Sequence, residues 1–251
     1  MGKTCHLLKE LNLMKNKVAI VGSGNIGWAL RKLLQDDYDI SQGDILDGLD
    51  ATDSSQVEKF LVGHDAVISA GPYAVNKNIA KVAAEKNIGY FDLTEDVDTT
   101  EFIKELKSES VLMPQCGLAP GAINICAASM MEEFDDVKEV LMRVGALPRF
   151  TTNEMSYYLS WSTNGLINEY CNEADAIYEG KPIKVMPLEG SEKLVIEGES
   201  FEAFNTSGGC ATMCETYADK VENLTYKTIR YPGHLNPVSY THLTLPTTTY
   251  V

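Results

Sequence analysis

KVAIVGSGNIG, Lys17 to Gly27, joins a short β-branched apolar run to three glycines spaced GxGxxG. Val18 to Val21 suits a strand buried on both faces, and Gly22 permits a tight turn out of it. Gly24 lets backbone approach a pyrophosphate, and Gly27 lets the next helix pack closely on the strand. The unpaired amides and positive dipole end of that helix would then face phosphate. A GxGxxG string alone carries little weight. Here it follows a strand-like run and precedes a helix-like one, Trp28 to Gln35. Asp44 lies 17 residues beyond the last glycine, near the roughly 20 expected of a carboxylate that hydrogen-bonds an adenosine ribose 2′-hydroxyl. A carboxylate there repels a 2′-phosphate, so the reading favours NAD over NADP.

The rest of the first 121 residues supports this turn. Alternating strand and helix patterns run through Tyr38 to Gln42, Ser54 to Val62, Ala66 to Ala70, Val75 to Glu85, Gly89 to Leu93, Asp98 to Lys107 and Val111 to Gln115. The expected class is α/β, a Rossmann-type doubly wound parallel sheet over residues 17–121 after a short lead-in, 1–16. Ligands in such sheets sit off the carboxyl ends of the strands. Three turns there stand out: Ser69-Ala70-Gly71-Pro72-Tyr73, Asp92-Leu93-Thr94-Glu95-Asp96, and Cys116 to Gly121. Beyond an apolar helix, Ala122 to Phe134, the pattern grows richer in strands. Val137 to Val144, Met155 to Trp161, Lys193 to Ile196 and Tyr226 to Tyr231 read as strands, with helices at Gly165 to Tyr170 and Ala211 to Ala218. A second, mixed α+β domain over 122–236, largely antiparallel, fits this.

Bulk properties exclude several classes. The 251 residues are 44% hydrophobic and 23% charged, an ordinary globular composition. A net charge of −15 argues against nucleic acid and anionic membrane, both of which need a basic surface. No apolar run approaches the roughly 18 residues of a membrane span, and Lys3, His6, Lys9 and Glu10 break any signal-peptide core, so a cytoplasmic location is expected. The six cysteines, Cys5, Cys116, Cys126, Cys171, Cys210 and Cys214, form no CxxC pair and read as reduced. The four histidines form no ligand cluster, so no metal is expected.

YFDLTED (Tyr90 to Asp96), PQCGLAPGAIN (Pro114 to Asn124), MRVGALP (Met142 to Pro148), WSTNGLINEY (Trp161 to Tyr170), EAFNTSGG (Glu202 to Gly209) and YKTIRYPGH (Tyr226 to His234) are more specific than the glycine motif. Together they resemble the saccharopine dehydrogenase family, most closely its single-function bacterial branch with lysine 6-dehydrogenase-like members. The resemblance implies a nicotinamide-dependent oxidoreductase that removes hydride from a C–H beside an amine of a small amino-acid substrate. It implies acid or base roles for Asp92, Glu95 and His234. Substrate contacts fall to Tyr73, Thr94, Asn124, Arg143, Asn164, Thr206, Ser207 and Arg230. The dinucleotide falls to Gly22, Ser23, Gly24, Asn25, Ile26, Gly27 and Asp44, with Ala70 and Pro72 beside the nicotinamide, and a homodimer is expected of the parent protein. A carboxynorspermidine-type reductase and a non-catalytic dinucleotide sensor are the alternatives.

The resemblance stops near Leu235. Pro237 to Val251, PVSYTHLTLPTTTYV, is low in complexity and resembles translated sequencing-adapter read-through. It reads as a non-native tail on a chain whose second domain is incomplete.

Overall fold

Five parallel strands in the order β2-β1-β3-β4-β5 form the first sheet of the computed structural model, which describes residues 15–159 and 161–244. The strands are β1 (Lys17–Val21), β2 (Asp39–Gly43), β3 (Ala66–Ser69), β4 (Gly89–Asp92) and β5 (Leu112–Met113). Each is followed in sequence by a helix: α1 (Asn25–Leu34), α2 (Ser54–Leu61), α3 (Tyr73–Glu85), α4 (Val97–Glu105) and α5 (Ala122–Met131). Strand burial is nearly continuous in β1, where Val18 to Val21 are all buried, as expected when helices cover both faces. Val67 and Tyr90 of the sheet pack with Val57 and Leu61 of α2, Ile79, Val82 and Ala83 of α3, and Ile103 of α4. Side-chain caps start two of these helices: Asp53 accepts from the Ser55 amide at 2.8 Å and Asp96 from the Thr99 amide at 2.8 Å. The pairing β3-β1-β2 reverses direction at β1, so the switch point of the sheet lies between the loops that leave β1 and β3.

The chain divides after Gly117 into two compact units. The second is built on a six-stranded sheet: β6 (Glu139–Val144), β7 (Ala174–Tyr178), β8 (Lys181–Val185), β9 (Glu192–Ile196), β10 (Glu199–Asn205) and β11 (Asn223–Arg230). β11 is its axis. It pairs parallel with β6 over residues 223–228 and antiparallel with β7 at Leu224 and with β10 over 227–230. Three further helices are α6 (Thr163–Cys171), α7 (Met213–Thr216) and α8 (Leu235–Thr244). Val140, Met142, Ile177, Leu224 and Tyr226 form one apolar sheet face, packed against Met213, Cys210 and Cys214 and against Ile123, Ala127 and Met131 of α5.

Three expectations change here. The run from Met155 to Trp161 is a loop wherever it is described, because Asn153 clasps it: its Nδ2 donates to the Tyr157 carbonyl at 2.8 Å and its Oδ1 accepts from the Tyr157 amide at 3.4 Å. The helix expected over Ala211 to Ala218 is the single turn α7. β7, β8 and β10 were not anticipated; two hairpins tie β7 to β8 and β9 to β10. Cys5, His6 and most of the lead-in lie outside the described residues, as do 245–251 of the tail. No helix among the described residues is long and apolar enough to cross a membrane.

Candidate functional site

In the first unit the predicted dinucleotide residues gather at the carboxyl ends of β1, β2 and β3. Gly22 takes φ +109°, and a Cβ there would stand 2.8 Å from the Ala70 carbonyl oxygen, so the β1 and β3 loops touch through backbone alone. The turn is anchored to β2: the Gly22 amide donates to the Gly43 carbonyl at 2.8 Å, and Gln42 Nε2 donates to the Gly22 carbonyl at 2.9 Å. A Cβ on Gly27 would lie 2.0 Å from the Gly22 oxygen, which is the close helix-on-strand approach the motif requires. Over Gly24, by contrast, no atom comes within 4 Å of a built Cβ. No side chain caps α1, so the amides of Asn25, Ile26 and Gly27 lack intrahelical acceptors and form an anion cradle. Asp44 stands beside it, accepting from the Ser23 amide at 2.7 Å and the Leu46 amide at 3.1 Å. Those bonds, Leu46 first, hold its pKa below the usual carboxylate value. Ala70 is half-buried, while Pro72 and Tyr73 at the start of α3 are exposed.

The β4 turn separates its two acids. Asp92 is fully buried and accepts four hydrogen bonds: Tyr90 Oη at 2.7 Å and Asn76 Nδ2 at 3.2 Å on Oδ2, the Thr94 amide at 3.0 Å and the Gln115 amide at 3.1 Å on Oδ1. A carboxylate has about four acceptor sites, so the acceptor capacity of Asp92, expected to act as acid or base, is filled by its own protein. Burial pushes its pKa up against the pull of those bonds. Thr94 is likewise engaged, its Oγ1 accepting from the Asp96 amide at 3.0 Å. Glu95 differs. It is half-buried, no other side chain among the described residues binds its carboxylate, and burial, then the charge of Asp96, raises its pKa to about 7. A carboxyl group that titrates near neutrality is suited to accept or return a proton.

In the second unit Arg230, at the end of β11, is the centre of a buried polar cluster. Its Nε donates to Tyr170 Oη at 2.9 Å, its Nη1 to Thr228 Oγ1 at 2.6 Å and to the Ile229 carbonyl at 2.9 Å, and its Nη2 lies 3.9 Å from Glu169 Oε2. The guanidinium also lies over the Tyr157 ring, 4.5 Å from its centroid. His234 Nδ1 is 2.9 Å from the Met155 carbonyl, which can only accept, so that nitrogen carries the proton. Nε2 therefore accepts from Tyr170 Oη at 3.0 Å, and the tyrosine relays from arginine to histidine. Burial lowers the pKa of His234. Both nitrogens of this expected acid or base are engaged within the cluster. Thr206, just past β10, is buried with an Oγ1 that has no partner among the described residues, a group a ligand could satisfy.

Other predicted substrate contacts have structural employment. Arg143 grips Glu192 with Nε and, at 3.2 Å, with Nη2, while Nη1 donates to the Met142 and Thr225 carbonyls at 2.8 and 3.1 Å. Lys227 joins the same carboxylate at 2.8 Å. Although burial opposes it, these bonds hold Glu192 below its usual pKa. With its donors so used, Arg143 is a sheet-bridging residue. Asn124 ties the start of α5 to the Gly209 and Cys210 carbonyls at 3.1 and 3.2 Å, and Ser207 Oγ donates to the Asn168 carbonyl at 3.1 Å. Asn164, in the first turn of α6, is exposed. Tyr170, Tyr157, Asn76 and Tyr90 were not foreseen. Tyr90 was legible, since residues two apart on a strand share a face and Asp92 is its neighbour on that face.

A model of the saccharopine dehydrogenase C-terminal domain matches residues 117–245, just over half of the chain. Saccharopine dehydrogenase (NADP(+), L-glutamate-forming) of Saccharomyces cerevisiae is 31% identical over 148 residues, covering 53% of this chain and 32% of the yeast protein. The Schizosaccharomyces pombe protein of the same name is 24% identical over 204 residues, covering 74% of this chain and 44% of its own. The structure of apo histidine-tagged saccharopine dehydrogenase (L-Glu forming) from S. cerevisiae shares the fold at a TM-score of 0.70 and 22% identity, over 89% of this chain and 57% of that one. The chain thus spans less than half the length of either of these two curated relatives.

Proposed function

Because the chain belongs to the saccharopine dehydrogenase family, we propose that it is an NAD-dependent oxidoreductase acting on the CH–NH group of a lysine-derived amino acid, saccharopine or lysine, with allysine as product. The observation that carries this reading is the open, uncapped start of α1, where Gly24 is clear of protein atoms and three amides await an anion. When bound, the nicotinamide supplies a hydride acceptor. The chain supplies the rest. Gly22 to Gly27 would hold the pyrophosphate, and Asp44 would take the adenosine ribose hydroxyls. A 2′-phosphate would meet the Asp44 carboxylate, and Arg31 is the one arginine of the first unit. This supports NAD, although the curated relatives named above carry NADP(+) in their names.

Hydride leaves carbon only when the neighbouring nitrogen holds a free electron pair, so the substrate ammonium must first lose its proton. Glu95, ionised above about pH 7, suits that step, and it could return the proton when water adds to the resulting iminium carbon and the C–N bond breaks. Within the second unit, Arg230 through its Nη2, which lies 3.9 Å from Glu169 Oε2, and the unpartnered hydroxyl of Thr206 suit a substrate carboxylate. Incubating the protein with NAD and saccharopine, or with NAD and lysine, tests the reading. NADH together with glutamate from saccharopine, or with ammonia from lysine, is expected. Formation of NADH from neither would overturn it.

A further inference from the structure

We propose that Asp92 is a positioning residue whose carboxylate locks the loops leaving β3, β4 and β5 into one rigid rim that seats the nicotinamide half of the dinucleotide; this rests on the dinucleotide reading above. The four donors on Asp92 come from separate segments. Thr94 belongs to the loop after β4 and Gln115 to the loop after β5, Asn76 projects from α3, and Tyr90 stands two residues back on β4. Asn76 extends the hold to β3, because its Oδ1 accepts from Ser69 Oγ at 2.7 Å. Ser69 and Asp92 are directly opposed in the β3–β4 register, so Asn76 brackets the two strand ends. The backbone joins in, the Cys116 amide donating to the Asp92 carbonyl at 2.7 Å.

One part of this rim is strained. Gln115 has φ +65°, a left-handed conformation that a side chain disfavours. Its amide is aimed at Asp92 Oδ1 in that conformation, so the carboxylate supplies the compensating bond. The direction of the dinucleotide follows from strand order. Asp44, after β2, takes the adenosine side, and the pyrophosphate cradle follows β1. The remaining half of the molecule must run across β3 towards β4 and β5, over the loops that Asp92 joins.

NADH and ADP-ribose together separate positioning from folding. ADP-ribose lacks the nicotinamide and reads only the adenosine and pyrophosphate half. In the full chain, Asp92→Ala should weaken NADH at least tenfold and ADP-ribose by less than twofold. Asp92→Asn keeps a carbonyl oxygen for the Thr94 and Gln115 amides, and its NH₂ can donate to Tyr90 Oη, so that only the 3.2 Å bond from Asn76 Nδ2 loses its acceptor. It should hold NADH within about threefold of the parent. Equal weakening of both ligands by a folded Asp92→Ala protein, or no weakening of either, would overturn the proposal. If Asp92→Ala does not fold, Asn76→Ala carries the test: selective loss of NADH affinity of about threefold supports the rim, and an unchanged NADH to ADP-ribose ratio overturns it. Failure of the parent protein to bind ADP-ribose would instead strike the dinucleotide reading itself.

Discussion

Replacing Glu95 by Gln should change how stability depends on pH more than it changes stability in acid. In the folded protein this carboxyl group titrates at about 7 instead of the usual 4.5, through burial and then the charge of Asp96. Its folded pKa lies above its unfolded one. The folded state therefore binds the proton more tightly, and the stabilisation is fully present below about pH 4.5 and lost as pH rises through about 7. The interval corresponds to about 3 kcal/mol at most, and partial solvent access reduces it to roughly 1–3 kcal/mol. Gln keeps the shape and cannot ionise. Urea unfolding of both proteins between about pH 4.5 and pH 8 measures the difference. The stability of Glu95→Gln relative to the parent should rise by roughly 1–3 kcal/mol across that range. Parallel profiles, the gap constant within about 0.5 kcal/mol, would refute the burial argument and with it the case for Glu95 as a proton carrier near neutrality.

Gly27→Ala sets a methyl 2.0 Å from the Gly22 oxygen, so α1 must move; a loss of about 3 kcal/mol and of NADH binding is expected from denaturant and fluorescence titrations. Arg143→Ala should cost about 2 kcal/mol of stability by breaking the bridge to Glu192. It should leave the amino-acid KM within about twofold, whereas a large rise in KM would restore Arg143 to the substrate site. Tyr170→Phe removes the acceptor for Arg230 Nε and the donor to His234 Nε2 at one stroke, and a loss of about 1–3 kcal/mol in urea unfolding is expected.

The first unit was readable because its signals are local. A strand buried on both faces shows as a continuous apolar run, as at Val18 to Val21, and the predicted ends of β1 to β4 and of the helices between them fall within three residues of those observed. The second unit hid its strands behind unfamiliar turns. Its two hairpins turn on Glu179-Gly180 and Glu197-Gly198, with φ of +48° and +77° and of +52° and +85°. These are the paired positive angles for which Asn-Gly is the strongest sequence cue, here with Glu in the strained place. Aromatics of 155–161 imitated strand alternation because Tyr157 is buried beneath Arg230 and the half-buried Trp161 holds it, Nε1 donating to Tyr157 Oη at 2.9 Å. At the sites, residue type was legible and partnership was not. Arg143 and Arg230 both stand on sheet strands, yet one meets Glu192 of β9 and the other Tyr170 of α6, partnerships set by the pairing of β6, β11, β10 and β9 and by the packing of α6. Asp92 and Glu95 are three residues apart, and the strand end buries one beneath four donors while leaving the other half open.

Saccharopine carrying deuterium on the carbon beside its secondary amine, on the lysine-derived side, tests the central claim most directly. Incubated with the protein and NAD, it should give reduced nicotinamide that contains the deuterium, alongside glutamate and allysine, as read by mass spectrometry. Lysine deuterated at its ε-carbon is run in parallel, and reduced nicotinamide without the label from either, or none from both while NADH still binds, would contradict the account.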